Sequence, residues 1–147
     1  MRALVDTNIL LRWTDRTSPE HAVCARVIDH LRQSTAICVC AQVLIEFYSV
    51  ATRPREVNGL GLDATTAQQA LADIVEALPC LPEAPDMAQR WREVITVHGV
   101  LGKQVHDARL VALMQAHNIS NILTLNVNDF TRYQQITPTS PTEVLSQ

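Results

Sequence analysis

The apolar run Ala3-Leu4-Val5 breaks off into Asp6-Thr7-Asn8, so that a stretch reading as a buried strand ends in a carboxylate, a hydroxyl and an amide. Packing alone gives no reason for that ending, because burying a polar group without a partner costs roughly 2–7 kcal/mol and an unpaired charge costs more. Asp6 therefore belongs at a rim where something cationic meets it, most simply a metal ion. In an open parallel sheet the crevice beyond the carboxyl ends of the strands is where ligands bind, so the position agrees with the residue type.

Short apolar, β-branched runs alternate with longer helical stretches along the rest of the chain, with strands expected at 3–6, 36–40 and 121–126 and a weaker one at Cys80-Leu81. This alternation marks an α/β layer fold on a mainly parallel sheet. Ser18-Pro19-Glu20 reads as N-cap, first helical position and acidic first turn of a helix that carries Val23, Val27 and Leu31 at a spacing of four. A second helix spans 41–52 and is stopped by Arg53-Pro54, after which residues 53–63, with Gly59 and Gly61, form the clearest loop. Helices at 64–78 and 86–97 read as a hairpin or insertion beside the sheet, the second closed by Gly99 in a left-handed cap. A fifth helix runs from about 105 to His117, with Asn118 as its cap and Ala108, Val111, Ala112 and Met114 on its apolar side. The tail at 137–142 is turn-rich and is assigned to the surface, followed by a short turn or helix at 143–145.

A length of 147 residues with 47% hydrophobic content suits one core, and residues 1–147 are read as a single domain. No run approaches the roughly 18 apolar residues of a membrane span, and Met1-Arg2 leads into the first strand without a signal-peptide pattern, so a cytoplasmic protein with no membrane partner is expected. Cys24, Cys38, Cys40 and Cys80 lack the paired spacing of zinc sites and are read as reduced core thiols. The net charge of −3 means that the molecule as a whole does not attract nucleic acid, so local charge must do so.

Acidic or amide residues recur at the junctions of elements: Asp6 after the first strand, Glu46 inside the second helix, Asp107 opening the fifth, and Asn126 with Asp129 after the last strand. Glu46 is surrounded by Val43, Leu44, Ile45 and Phe47, which gives a charge little purpose there unless it points to a polar centre or to solvent. Each acid alone has an ordinary explanation as a cap, a first-turn anion or a solvated side chain. Parallel topology, however, gathers strand ends at one edge and would collect the set around a single crevice. Carboxylates so gathered repel by roughly 3 kcal/mol per pair at about 5 Å and an effective dielectric near 20, a conflict that a divalent cation removes. All-oxygen ligation suits Mg²⁺ or Mn²⁺ better than zinc, and such an ion, with Arg53, Arg55, Lys103 and Arg109 nearby, would reverse the local sign for a phosphodiester. Phosphodiester hydrolysis is the reaction class that follows. His106, beside Asp107, reads first as a polar helix-start residue rather than a proton shuttle, and Trp13 and Trp91 as core or interface anchors.

With these residues in hand, the chain resembles PIN-domain ribonucleases of the VapC toxin type. The resemblance runs through Leu4-Val5-Asp6-Thr7-Asn8, the Glu46 helix, His106-Asp107-Ala108-Arg109 and the stretch 122–130, Ile-Leu-Thr-Leu-Asn-Val-Asn-Asp-Phe. It implies a three-layer PIN-like fold and a Mg²⁺-dependent endonuclease acting on RNA, usually a homodimer held inactive by a small antitoxin protein. It further implies that Asp6, Glu46 and Asp107 hold the metal and orient water, with Thr124 the hydroxyl near it. Asn126 stands where many relatives have aspartate, and Asp129 is the acid available to supply that charge. By the same resemblance, an antitoxin segment lying across the crevice would set an arginine against the acids.

Other aspartate-centred folds fit less well. A phosphoacceptor receiver domain needs an acidic pair after its first strand and a late lysine, and a haloacid-dehalogenase phosphatase needs Asp-x-Asp where this chain has Asp6-Thr7-Asn8. A metal-dependent phosphatase or DNA nuclease is the enzymatic alternative. A PIN-like module that binds RNA or protein without cutting is the other.

Overall fold

The computed structural model describes residues 2–34 and 36–147; Met1, read above as leading into the first strand, and Thr35 lie outside them. The described residues form β1 (Arg2–Val5), α1 (Thr7–Thr14), α2 (His21–Ser34), β2 (Ala36–Cys40), α3 (Ala41–Thr52), α4 (Ala64–Ala77), β3 (Cys80–Leu81), α5 (Met87–His98), α6 (Gln104–Ala116), β4 (Asn121–Leu123), β5 (Thr137–Thr139) and α7 (Pro141–Leu145). The five strands pair in parallel throughout, in the order β3-β2-β1-β4-β5. Parallel neighbours need crossovers, and their right-handed sense sends α1 to α4 to one face on the way out to β3 and α5 and α6 to the other on the way back to β4. The packing agrees: α1 lies against α2 and α3, α3 against α4, and α5 against α6. This is the expected three-layer α/β architecture.

The core follows from β1 being central. Leu4 and Val5 are wholly buried between β2 and β4, and Ile9 and Leu10 of α1, Val43 and Phe47 of α3, and Ile122 of β4 close over them. Helix α6 buries Ala108 and every residue from Leu110 to Met114, more of its circumference than the four-residue apolar side expected of it. Gly99 (φ 59°) ends α5 and Asn118 (φ 56°) follows α6, both in the left-handed conformation expected of them.

Several expectations need correction. Helix α1 was not anticipated; it is eight residues long and starts one residue after a strand, too short for a clear period. Helix α2 begins at His21 rather than Pro19, because the Ser18 hydroxyl accepts from the Glu20 amide at 3.2 Å and donates to the Glu20 carboxylate at 2.8 Å, folding a local turn instead of a cap. Helices α4 and α5 do not form a hairpin, since β3 separates them and each packs on a different partner. Strand β4 stops at Leu123 instead of 126: Thr124 N still bonds Thr139 O at 3.0 Å, but the donors after it, Leu125 N and Asn126 N, are taken by the Asn8 side chain and the Thr124 hydroxyl. The segment assigned to a surface turn contains β5, where Pro138 is tolerated because the strand lies at the sheet edge. Cys24, Cys38 and Cys40 are buried free thiols whose pKa values burial pushes up to about 11, but Cys80 is exposed and not a core residue. Trp13 and Trp91 are half-buried against the core, and the Trp91 indole donates to Val105 O at 2.8 Å.

Candidate active site

Strand register sets the first contact. Val5 pairs with Leu123, so the next residues, Asp6 and Thr124, leave adjacent strand ends side by side. Asp6 caps α1: one carboxylate oxygen, Oδ1, accepts from Thr7 N at 2.8 Å, while Oδ2 accepts from the Thr124 hydroxyl at 2.8 Å and the Asn8 amide at 3.4 Å. Only 7% of Asp6 is exposed. Burial is the main force raising its pKa; the hydrogen bonds from Thr124 and Thr7 oppose it, and the charges of Glu46 and Asp129 push it further up.

Glu46 enters from α3, its Oε2 accepting from the Thr7 hydroxyl at 2.9 Å and its Oε1 from Gln42 Nε2 at 3.0 Å. Asp107 enters from the first turn of α6, half-buried. Its pKa is pushed up to about 7, first by desolvation and then by the negative charges of Asp6, Asp129 and Glu46. Asp129 lies in the 3-10 turn Val127–Phe130 that follows β4, exposed but close enough to act on both Asp6 and Asp107. Among the described residues no hydrogen bond reaches the carboxylates of Asp107 or Asp129, which leaves both open to a ligand.

The six residues singled out in the sequence thus occupy one sheet edge, in different ways. Asp6, Glu46, Asp107 and Asp129 interact through charge, and Thr124 bonds Asp6 directly. Asn126 is exposed and contributes its backbone N–H to the Thr124 hydroxyl at 3.0 Å. Thr7, Asn8 and Gln42 carry more of the site than their sequence signal promised. Asn8 bonds Asp6, Thr124 and Leu125 N, and Gln42 lies one turn before Glu46 on the same face of α3. Polar residues in so apolar a stretch were the available signal.

Two of the basic residues expected to act with a bound ion, Arg55 and Arg109, are engaged by other partners. Arg55 turns to Asp15 at 3.7 Å, Arg109 is held by Glu83 at 2.6 Å and Gln42 at 3.0 Å, and the charged groups acting on Asp6 and Asp107 are all acidic. A divalent cation fits that deficit, and the donors are all oxygen, which suits Mg²⁺ or Mn²⁺. Among the described residues no group of three or more His, Cys, Asp or Glu side chains is placed to hold a metal ion between them. Mg²⁺ does not require such a cage, since it keeps several waters and binds through one or two carboxylates. Beside Glu46 a cavity of about 460 Å³ opens between α3 and the start of α6, walled by Gln42, Ile45, Glu83, His106 and Arg109. Another, of about 520 Å³, lies along α5 near His98 and Arg132 and touches none of the four acids.

Comparison with known proteins places this edge in context. Residues 3–135 match the model of the PIN domain family. The chain is 30% identical over 135 residues to Ribonuclease VapC24 of Mycobacterium tuberculosis, covering 88% of this chain and 89% of that protein. Among solved structures it is similar to VapBC2 from Rickettsia felis bound to a promoter DNA fragment, with a TM-score of 0.74, 15% identity and coverage of 95% and 98% of the two chains. VapBC from Salmonella typhimurium bound to DNA gives a TM-score of 0.71 at 13% identity, covering 96% and 98%. VapC20 of Mycobacterium tuberculosis, a sarcin-ricin-loop-cleaving toxin, gives 0.60 at 19% identity, covering 82% and 86%.

Proposed function

Because the chain belongs to the PIN-domain family, in its VapC ribonuclease type, we propose that it is a Mg²⁺-dependent endoribonuclease and the toxin of a toxin-antitoxin pair. The observation that carries this reading is the meeting of Asp6, Glu46, Asp107 and Asp129, drawn from four separate segments and near enough that the charges of the other three add to desolvation in raising the pKa of Asp107. A bound Mg²⁺ would supply charge neutralisation at the scissile phosphate and an activated water. Asp6, Glu46 and Asp107 are the side chains that would hold it, directly or through the waters that Mg²⁺ keeps. Thr124 and Thr7 keep the Asp6 carboxylate aimed and oppose the rise in its pKa that burial causes, and Thr7 and Gln42 fix Glu46. Asp129 is the acid that completes the set in place of Asn126. Mn²⁺ is the natural substitute ion.

RNA is the substrate class that supports toxicity of the VapC kind, and the relatives named Ribonuclease VapC24 and VapC20 favour it over DNA. The solved VapBC complexes favour an antitoxin as the protein partner, and its arginine set among these acids would supply the missing cation and hold the enzyme inactive. A homodimer in the cytoplasm is the assembly we assign to it. No helix among the described residues is long and apolar enough to cross a membrane.

The test is sequencing of RNA 5′ and 3′ ends after induced expression, against Asp6→Asn expressed to the same level. New ends at a recurrent position in the wild type and their absence in Asp6→Asn support the reading. Purified Asp6→Asn, Glu46→Gln and Asp107→Asn proteins are each expected to lose Mg²⁺-dependent RNA cleavage while keeping a wild-type circular dichroism spectrum. Full cleavage by all three ends the assignment.

A further inference from the structure

We infer that Gln42 is a positioning residue for Glu46, its buried amide holding that carboxylate in fixed relation to the first turn of α6. Gln42 is 8% exposed and uses each side of its amide. Its Nε2 donates to Glu46 Oε1 at 3.0 Å and to the backbone oxygen of His106 at 2.8 Å, and its Oε1 accepts from Arg109 Nη1 at 3.0 Å. Arg109 is anchored in turn by Glu83, 2.6 Å from its Nη2.

These partners determine which way the amide faces. Turned over, its oxygen would meet a carboxylate and a carbonyl, and its NH₂ would meet a guanidinium, so every contact would be repulsive. No other side chain of this size meets the demand. A glutamate would oppose Glu46 and the His106 carbonyl, and a methionine would fill the space with no donor.

The consequence lies in where the two donor bonds go. One ends on Glu46 and the other on the residue preceding Asp107, so a single NH₂ group spans the two helices that bring these acids together. Thr7 fixes the other oxygen of Glu46, leaving the carboxylate bonded on both sides. Packing of α3 itself rests on Val43, Phe47 and Ala51, all wholly buried, and does not need a polar group at 42.

The inference rests on the proposed role of the acids as a divalent-ion site, and the experiment separates the two. Mn²⁺ affinity is measured by electron paramagnetic resonance on the full-length purified wild type, Asp6→Asn, Gln42→Met, Arg109→Met, Glu46→Gln and the Gln42→Met/Glu46→Gln double variant. Residues that orient metal ligands cost about 10- to 100-fold in affinity when removed, and Gln42→Met is expected to fall about 10-fold. Arg109→Met, which unlocks the amide from the surface without emptying a buried position, is expected to show a smaller loss in the same direction. With Glu46 already changed to Gln, Gln42→Met is expected to add no further loss, whereas a general packing role would weaken both backgrounds alike. Wild-type affinity in Gln42→Met, or in Arg109→Met should Gln42→Met fail to fold, overturns the inference, as does an equal loss in the Glu46→Gln background. If Asp6→Asn loses Mn²⁺ and the Gln42 and Arg109 variants do not, the inference alone fails. Absence of Mn²⁺ binding in the wild type, or binding indifferent to Asp6→Asn, overturns the metal site together with it.

Discussion

At the scale of single residues the site works by setting burial against hydrogen bonding. Asp6 is desolvated more than the other acids, yet Thr124, Thr7 and Asn8 all donate to it, which offsets part of the rise in pKa that burial causes. Thr124→Val keeps shape and removes the 2.8 Å bond to Asp6 together with the acceptor for the Asn8 amide and Asn126 N, and the loss of a hydrogen bond to a charged group, about 1.5–3 kcal/mol, sets the scale. Chemical denaturation is expected to show a loss in that range, and Mg²⁺ affinity to fall with it, because Asp6 then holds its proton to higher pH. Asp107 is the opposite case, a carboxylate raised to about 7 with no donor among the described residues to relieve it. A carboxyl whose folded value exceeds its unfolded value of 3.8 stabilises the fold fully below that unfolded value, and the contribution is lost as pH rises through about 7. Metal-free protein is therefore expected to melt at lower temperature at pH 8 than at pH 6. Asp107→Asn should flatten that difference and raise the pH 8 melting temperature while abolishing cleavage.

At the scale of elements, the placement of acids depends on how each strand and helix ends. Asp6 sits where β1 becomes α1 without a loop, so one residue both caps a helix and faces the crevice. Thr124 is aimed because it is the last residue of its segment held by a backbone bond to β5, the donors of Leu125 and Asn126 being claimed by the Asn8 and Thr124 side chains. Helix α3 follows β2 directly, which delivers Glu46 from the neighbouring strand to the same edge. Its anchor is Phe47, wholly buried, and Phe47→Ala is expected to cost about 3–5 kcal/mol by denaturant titration. The loop after α3 is fixed by a close approach at Gly59, where an added Cβ would overlap the Arg53 carbonyl. Gly59→Ala should therefore lower the melting temperature, through the backbone and without touching the acids.

At the scale of the molecule, one edge of a parallel sheet concentrates like charge, and folding is completed against that repulsion. A ligand that binds only the folded form stabilises it by mass action, about 2.7 kcal/mol when present at 100 times its dissociation constant. Mg²⁺ is expected to raise the melting temperature of the wild type, and by more at pH 8 than at pH 6, since protons compete for the same oxygens. A chelator should reverse the shift, and Asp6→Asn should not show it. Differential scanning fluorimetry at the two pH values reads all three outcomes.

What could be read in the linear chain was whatever depends on neighbours a few residues away. The strand-to-acid break at Val5-Asp6, the left-handed caps at Gly99 and Asn118, and the odd charge of Glu46 in an apolar helix all carry their signal locally. The resemblance to the PIN domain, which the family match bears out, rests on such local motifs in order. What stayed hidden has a common physical reason: it is decided by partners distant in sequence. Strand β5 exists because β4 offers an edge that tolerates Pro138. Gln42 matters only because its amide meets the His106 carbonyl and Arg109, 64 and 67 residues away. Residue type and spacing by themselves determined which acids this chain owns, whereas register and crossover handedness decided that they share an edge and which neutral side chains hold them there.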